Sequence, residues 1–196
     1  MYDSYQTFLK LKSQGLRKQA QACIPSIIAD YNAQPNDNFV FQLIEDSDGD
    51  KIHPDFFKAI VYPALKSRIK NDPEAIRALI KIFQNVYQDA SIHKELEDVT
   101  KEQLLRRLIA ICPNDQLAKK ELIEYLVEWL RYTIHEWPSG ILYGANGASM
   151  DECNEILLAI GELRTLDLDG TYSELTKSVE DKMIEYCARL ICKPGA

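Results

Sequence analysis

Between Asn114 and Trp137, apolar residues return at steps of three and four. Ile123, Val127, Leu130, Ile134 and Trp137 form one stripe, and Leu122, Tyr125, Leu126 and Trp129 form a second beside it. Two adjacent stripes make an apolar face wider than a surface helix needs, so the spacing predicts a mostly buried helix. Its polar strip is narrow: Lys120, Glu124, Glu128, Arg131 and His135. Asn114 and Asp115 supply the N-cap, after Pro113 has closed the preceding helix. Pro138 is the expected stop at the far end.

A glycine-punctuated segment follows, from Pro138 to Ala148, with Gly140, Gly144 and Gly147 around the apolar run Ile141, Leu142, Tyr143. The next helix opens at Ser149, with Glu152 three residues on, the pattern of a capping box. A loop this rich in apolar side chains either folds back on the core or meets a partner. It is the first choice for a functional surface. Trp137, Tyr143 and Asn146 are its expected anchors, because Trp and Tyr dominate interface energetics.

The rest of the chain reads as helices with little to support a sheet. Residues 4–14 and 16–31 form a hairpin around Gly15, with Pro25 expected to kink or split the second helix. Its head, Arg17 and Lys18, is basic. The run from Phe39 to Ile44 is too short for periodicity to choose between helix and strand. Residues 55–70 are helical, with Pro63 as an internal kink. Asp72-Pro73-Glu74 starts a helix running to about Gln88, since proline suits the first helical position. Residues 89–99 read as a polar connector. Thr100 with Gln103, and Thr171 with Glu174, match capping boxes for two further helices. The expected fold is all-α: an irregular bundle of about eight helices built from hairpins, in one domain over 1–196, with a HEAT-like stack as the alternative.

Composition bounds the function. The 196 residues are 46% hydrophobic, enough for a full core. The net charge of −7 argues against general nucleic-acid or anionic-membrane binding and permits a cationic partner. No apolar run approaches the roughly 20 residues of a membrane span, and the N-terminus lacks the pattern of a secretory signal. Five cysteines include no Cys-x-x-Cys pair. Cys23, Cys112, Cys153 and Cys187 fall at apolar helical positions and read as buried thiols of a reducing, cytoplasmic protein.

The sharpest local signal runs from Glu45 to Phe57. Asp46, Asp48 and Asp50 alternate as the first, third and fifth ligands of a calcium loop do. The stretch resembles an EF-hand loop over about a dozen residues. It departs from that pattern where Lys51 takes the glycine position, and where Phe56 or Phe57 takes the place of the bidentate carboxylate. Read without calcium, it is an acidic turn ahead of the helix at Pro54, favoured by the helix dipole.

No catalytic set is expected. His53, His93 and His135 are scattered, and no nucleophile elbow, phosphate loop or dinucleotide fingerprint occurs. No cofactor and no metal ligand set is assigned. The reading is a non-enzymatic cytoplasmic protein-binding module. Its most natural instance is an acidic inhibitor, similar in character to the immunity proteins that neutralise a cationic toxin or enzyme. Partner-binding residues would be Trp137, Tyr143, Asn146, Asp46, Asp48 and Asp50. Two alternatives stand beside it: a cation-responsive module using the acidic loop, and an enzyme with a site at His135, Glu136 and the 138–148 loop.

Overall fold

The structure is a computed structural model that describes residues 2–47, 52–138, 140–144 and 146–191. The fold is all-α: among the described residues there is no strand, only one isolated bridge between Gly140 and Gly144. Contacts divide the chain into two compact units, one ending at Pro113 and one beginning at Asn114. No helix is long and apolar enough to cross a membrane among the described residues.

The first unit begins with the hairpin of α1 (Tyr2–Ser13) and α2 (Arg17–Ala33), joined through Gly15 at φ 75°. Pro25 does not split α2, which stays one element across it. The ambiguous run is a helix, α3 (Asp37–Glu45), which buries Phe39, Val40, Leu43 and Ile44. Tyr5, Phe8, Phe39 and Phe56 then form an aromatic core. Phe8 meets Phe56 edge-on at 5.2 Å, and Tyr5 meets Phe39 likewise at 5.2 Å.

The helix over 55–70 is not uniform. It runs as α4 (Pro54–Phe56), a π-helical turn over Phe57–Val61, and α5 (Tyr62–Lys66), giving way to turns before Lys70. The π turn accounts for Pro63. Proline has no amide to donate to the carbonyl of Ala59, and its ring crowds that carbonyl. Widening the preceding turn, so that the amide of Tyr62 reaches Phe57, accommodates both.

Asp72 caps α6 (Pro73–Lys81) as expected, accepting from the amides of Glu74 and Ala75. The helix breaks at Ile82 before α7 (Phe83–Gln88). Residues 89–99 are not simply a connector, because α8 (Ala90–Glu95) forms there. Three ties hold it. Asp89 caps the amides of Ser91 and Ile92, Lys58 reaches the Asp89 carboxylate at 2.7 Å, and Glu95 takes the hydroxyl of Tyr62 and the ammonium of Lys66. Thr100 precedes α9 (Lys101–Ile111), and its amide donates to the Gln103 side chain at 3.1 Å. Helix α9 packs on α6.

Two carboxyls here make stability acid-sensitive. Asp72 is held below the ordinary carboxylate range by the Arg68 guanidinium at 2.7 Å, then by the amides it caps. Asp89 is held below it by Lys58 and then by Ser91. A depressed folded pKa contributes stability above the unfolded value of about 4, and that contribution is lost as pH falls through the folded value. Melting temperature should therefore decline below about pH 4. Asp89→Asn should flatten that decline while lowering the plateau near neutrality, as thermal melts across the acid range would show.

The second unit holds α10 (Gln116–Thr133), α11 (Met150–Leu166) and α12 (Ser173–Ile191), with α11 packed on both others. Asp115 caps α10 through the amide of Ala118. The buried side of α10 is narrower than its two stripes imply: Leu122, Leu126, Val127 and Leu130 are buried, while Tyr125 is 36% exposed. Nor does α10 reach Trp137. The carbonyl of Thr133 receives the amides of both Glu136 and Trp137, which closes a turn four residues early. Ahead of α12 the amides of Thr171 and Tyr172 go to the Asp167 carboxylate, so the expected Thr171–Glu174 box is not what organises that entry. Of the four described cysteines only Cys153 is buried. Cys23, Cys112 and Cys187 are half-buried, and all four are free thiols.

Candidate functional site

The segment after α10 folds into an organised loop, and its side chains divide into a base and a tip. The base is closed by backbone. The amide of Ala148 donates to the carbonyl of Trp137 at 2.8 Å, and the hydroxyl of Tyr186 on α12 donates to the carbonyl of Ala148 at 3.0 Å. Inside the loop the amides of Gly140 and Gly147 both donate to the carbonyl of Gly144, at 3.1 and 3.2 Å. The Glu136 carboxylate reaches across and accepts from the amide of Leu142 at 3.2 Å. Backbone groups that would otherwise face water are thereby satisfied within the loop.

Gly147 sits at φ 73°, and a Cβ there would strike the Tyr186 hydroxyl and the carbonyls of Trp137 and Pro138. Only glycine fits that combination of angle and contact. Beyond it the capping box of α11 fixes the exit. The Ser149 amide and hydroxyl both donate to the Glu152 carboxylate, at 2.7 and 2.8 Å, and the Glu152 amide donates back to the hydroxyl.

The tip is aliphatic. Ile141 is 95% exposed and Leu142 is 44% exposed. This changes the roles read from residue type. Trp137, expected as an anchor for a partner, is 3% exposed and belongs to the base. Tyr143 is half-buried. Burial, and then the charges of Glu152 and Glu155 on the first turns of α11, raise its phenol pKa. Asn146 is exposed beside the closure. The residues most fully presented, Ile141 and Leu142, were visible in the sequence as an apolar run between glycines. Residue-type preference drew attention to their aromatic neighbours instead.

The groups considered for chemistry are placed differently. His135 is exposed on the turn leaving α10, and Glu136 beside it is committed to the Leu142 amide. Cys153 is buried, and burial together with its hydrogen bond to Cys187 pushes its thiol up to about 12. A thiol at that value is not a nucleophile near neutrality. Of the acidic loop, Asp46 closes α3 and accepts from the Tyr5 hydroxyl at 3.1 Å. Asp48 and Asp50 lie outside the described residues. Among the described residues, no group of three or more His, Cys, Asp or Glu side chains is placed to hold a metal ion.

No protein-family model, curated protein or solved structure matches the chain.

Proposed function

We propose that this chain is a non-enzymatic protein-binding module that presents Ile141 and Leu142 to an apolar pocket on its partner. The observation that carries the reading is Ile141, an aliphatic side chain 95% exposed at the tip of a hydrogen-bonded loop. An isolated exposed aliphatic is common on protein surfaces. One held out on a loop whose backbone is closed at the base and clasped midway has little ordering entropy left to lose on binding, which favours affinity. Acidic groups belong to the same loop and the helix after it: Glu136 accepts from the Leu142 amide, and the charges of Glu152 and Glu155 on the first turns of α11 act on Tyr143. With the net charge of −7 they favour a partner whose apolar pocket is ringed by lysine and arginine. An inhibitor of the immunity type, neutralising a cationic toxin or enzyme in the cytoplasm, is the specific form of this proposal.

The test is retention of a partner from the native source. Ile141→Asp should weaken the complex at least ~30-fold, the effect of a central interface residue. As a surface change, it should shift unfolding free energy by no more than about 0.5 kcal/mol. Raising salt should slow association of the wild type. A partner retained equally by Ile141→Asp would move the interface off this loop.

A further inference from the structure

Helices α11 and α12 are joined by a short turn and pack side by side, so they run antiparallel. The Arg164 guanidinium fixes their register, donating to both oxygens of the Glu180 carboxylate at 3.1 and 2.7 Å. The inward side of α11 is spent on Cys153, Ile156, Ile160 and Leu163. A surface helix ordinarily turns charged residues outward. Here the outward positions, at helical steps, are Met150, Asn154, Leu157, Leu158, Gly161 and Thr165, and none is charged, in a chain that is 27% charged. Leu158 is 73% exposed. Leu157 lies two turns back along α11 from Arg164, and Ile184, 58% exposed, lies one turn along α12 from Glu180. The apolar surface therefore continues across the seam between the helices. A single exposed aliphatic needs no explanation, whereas a continuous apolar face marks an interface.

We propose that this face receives a second copy of the chain, the two α11 helices crossing antiparallel about a two-fold axis between Leu158 and Gly161. Charge selects that occupant. Two chains of net charge −7 repel, so they close best where neither brings a charge. The nearest acids on α11, Asp151, Glu155 and Glu162, stand on its flank, about a quarter-turn from the centre line of the stripe. A lysine-rich partner would find no carboxylate on the stripe itself.

Shape selects it too. Leu158 is a projecting knob, and Gly161, one turn on, is bare backbone where an added Cβ would meet nothing within 4 Å. In an antiparallel crossing centred between them, each Leu158 lies level with the Gly161 of the other copy. Such reciprocity is what a two-fold interface requires. Two helices about 25 Å long and about 10 Å wide each offer roughly 500 Å² per copy, or about 1,000 Å² in all, where specific interfaces begin. The face is distinct from the tip of the 138–148 loop, and neither proposal rests on the other.

Sedimentation velocity of the full chain from about 5 to 300 µM is the test, with an expected dissociation constant of about 5–100 µM, weak in keeping with that area. The sedimenting mass should rise from 22.5 kDa toward twice that value. Raising salt from about 50 to 500 mM should tighten the dimer about threefold by screening the net charge, the opposite of its effect on a cationic partner. Leu158→Asp should weaken the dimer at least ~30-fold with the melting temperature retained, since the change is on the surface. Gly161→Gln fills the hole with a better helix former, so the melting temperature should rise while the dimer weakens about tenfold. Weaker association in a more stable chain is not misfolding. A monomer at about 300 µM overturns the proposal. A dimer that survives both variants lies on another face, and one abolished by Ile141→Asp but not by Leu158→Asp lies on the loop; either overturns it. Association that salt weakens rests on opposite charges and overturns it as well.

Discussion

Gly147→Ala is expected to destabilise the second unit by about 2–4 kcal/mol, far more than a loop substitution ordinarily does. Two costs add. A residue with a Cβ in the left-handed region loses about 1 kcal/mol. The new methyl also meets the Tyr186 hydroxyl and two carbonyls that are fixed by the base of the loop. Gly144→Ala separates the two costs. Gly144 has φ 70° but nothing within contact of an added Cβ, so it should lose only the first. Urea unfolding followed by circular dichroism would compare them. If the two alanine variants cost the same, the closure of the loop against Tyr186 is not as described.

Asn85→Ala should cost about 2–4 kcal/mol, the penalty for leaving buried polar groups unpaired. The Asn85 side chain is 2% exposed and makes a two-way clamp on the backbone of Ile52. Its amide donates to the Ile52 carbonyl at 2.9 Å, and its oxygen accepts from the Ile52 amide at 2.8 Å. Both backbone groups are buried, and water cannot replace the lost partner without opening the site. Asn85→Asp keeps the acceptor but loses the donor and buries a charge, so it should be no milder. Hydrogen exchange at the Ile52 amide gives a local reading. Its protection should collapse in Asn85→Ala while amides in α10 keep theirs. A loss under 1 kcal/mol with protection intact would mean that Ile52 finds other partners.

The features readable from sequence were those decided by neighbours in the chain. Asp72, Asp115 and Ser149 announce helix starts because the cap, the first turn and the reciprocal acid lie within four residues of each other. Helix α8 could not be read that way. Within Ala90–Glu95 only Ile92 is a large apolar residue, and the turn is held by Lys58 and Tyr62, about thirty residues away. The end of α10 was misplaced for a similar reason. Pro138 is an effective stop, but the carbonyl of Thr133 had already taken two amides. In the candidate site the loop itself was legible from its glycines. The assignment of its base and tip was not, because that depends on Tyr186, nearly forty residues on, whose hydroxyl decides which side of the loop faces inward. Asn85 was missed because its polar side chain sits on a helix whose inward apolar residues already account for its packing.

A π turn is a helix carrying one residue more than its length requires. Over Phe57–Val61 the surplus advances everything downstream by about 100° around the axis, the rotation of a single residue. Phe57, Ile60, Val61 and Leu65 are all inward across it, so the core is built to the shifted phase. Pro63 is the latch. A regular helix here would need an amide from position 63, and proline has none. Insertion and proline therefore form a matched pair. Removing one residue from this turn would return the helix to regular geometry only if Pro63 were replaced in the same step, and either change alone would leave the inward side chains of α5 out of phase with the core around them.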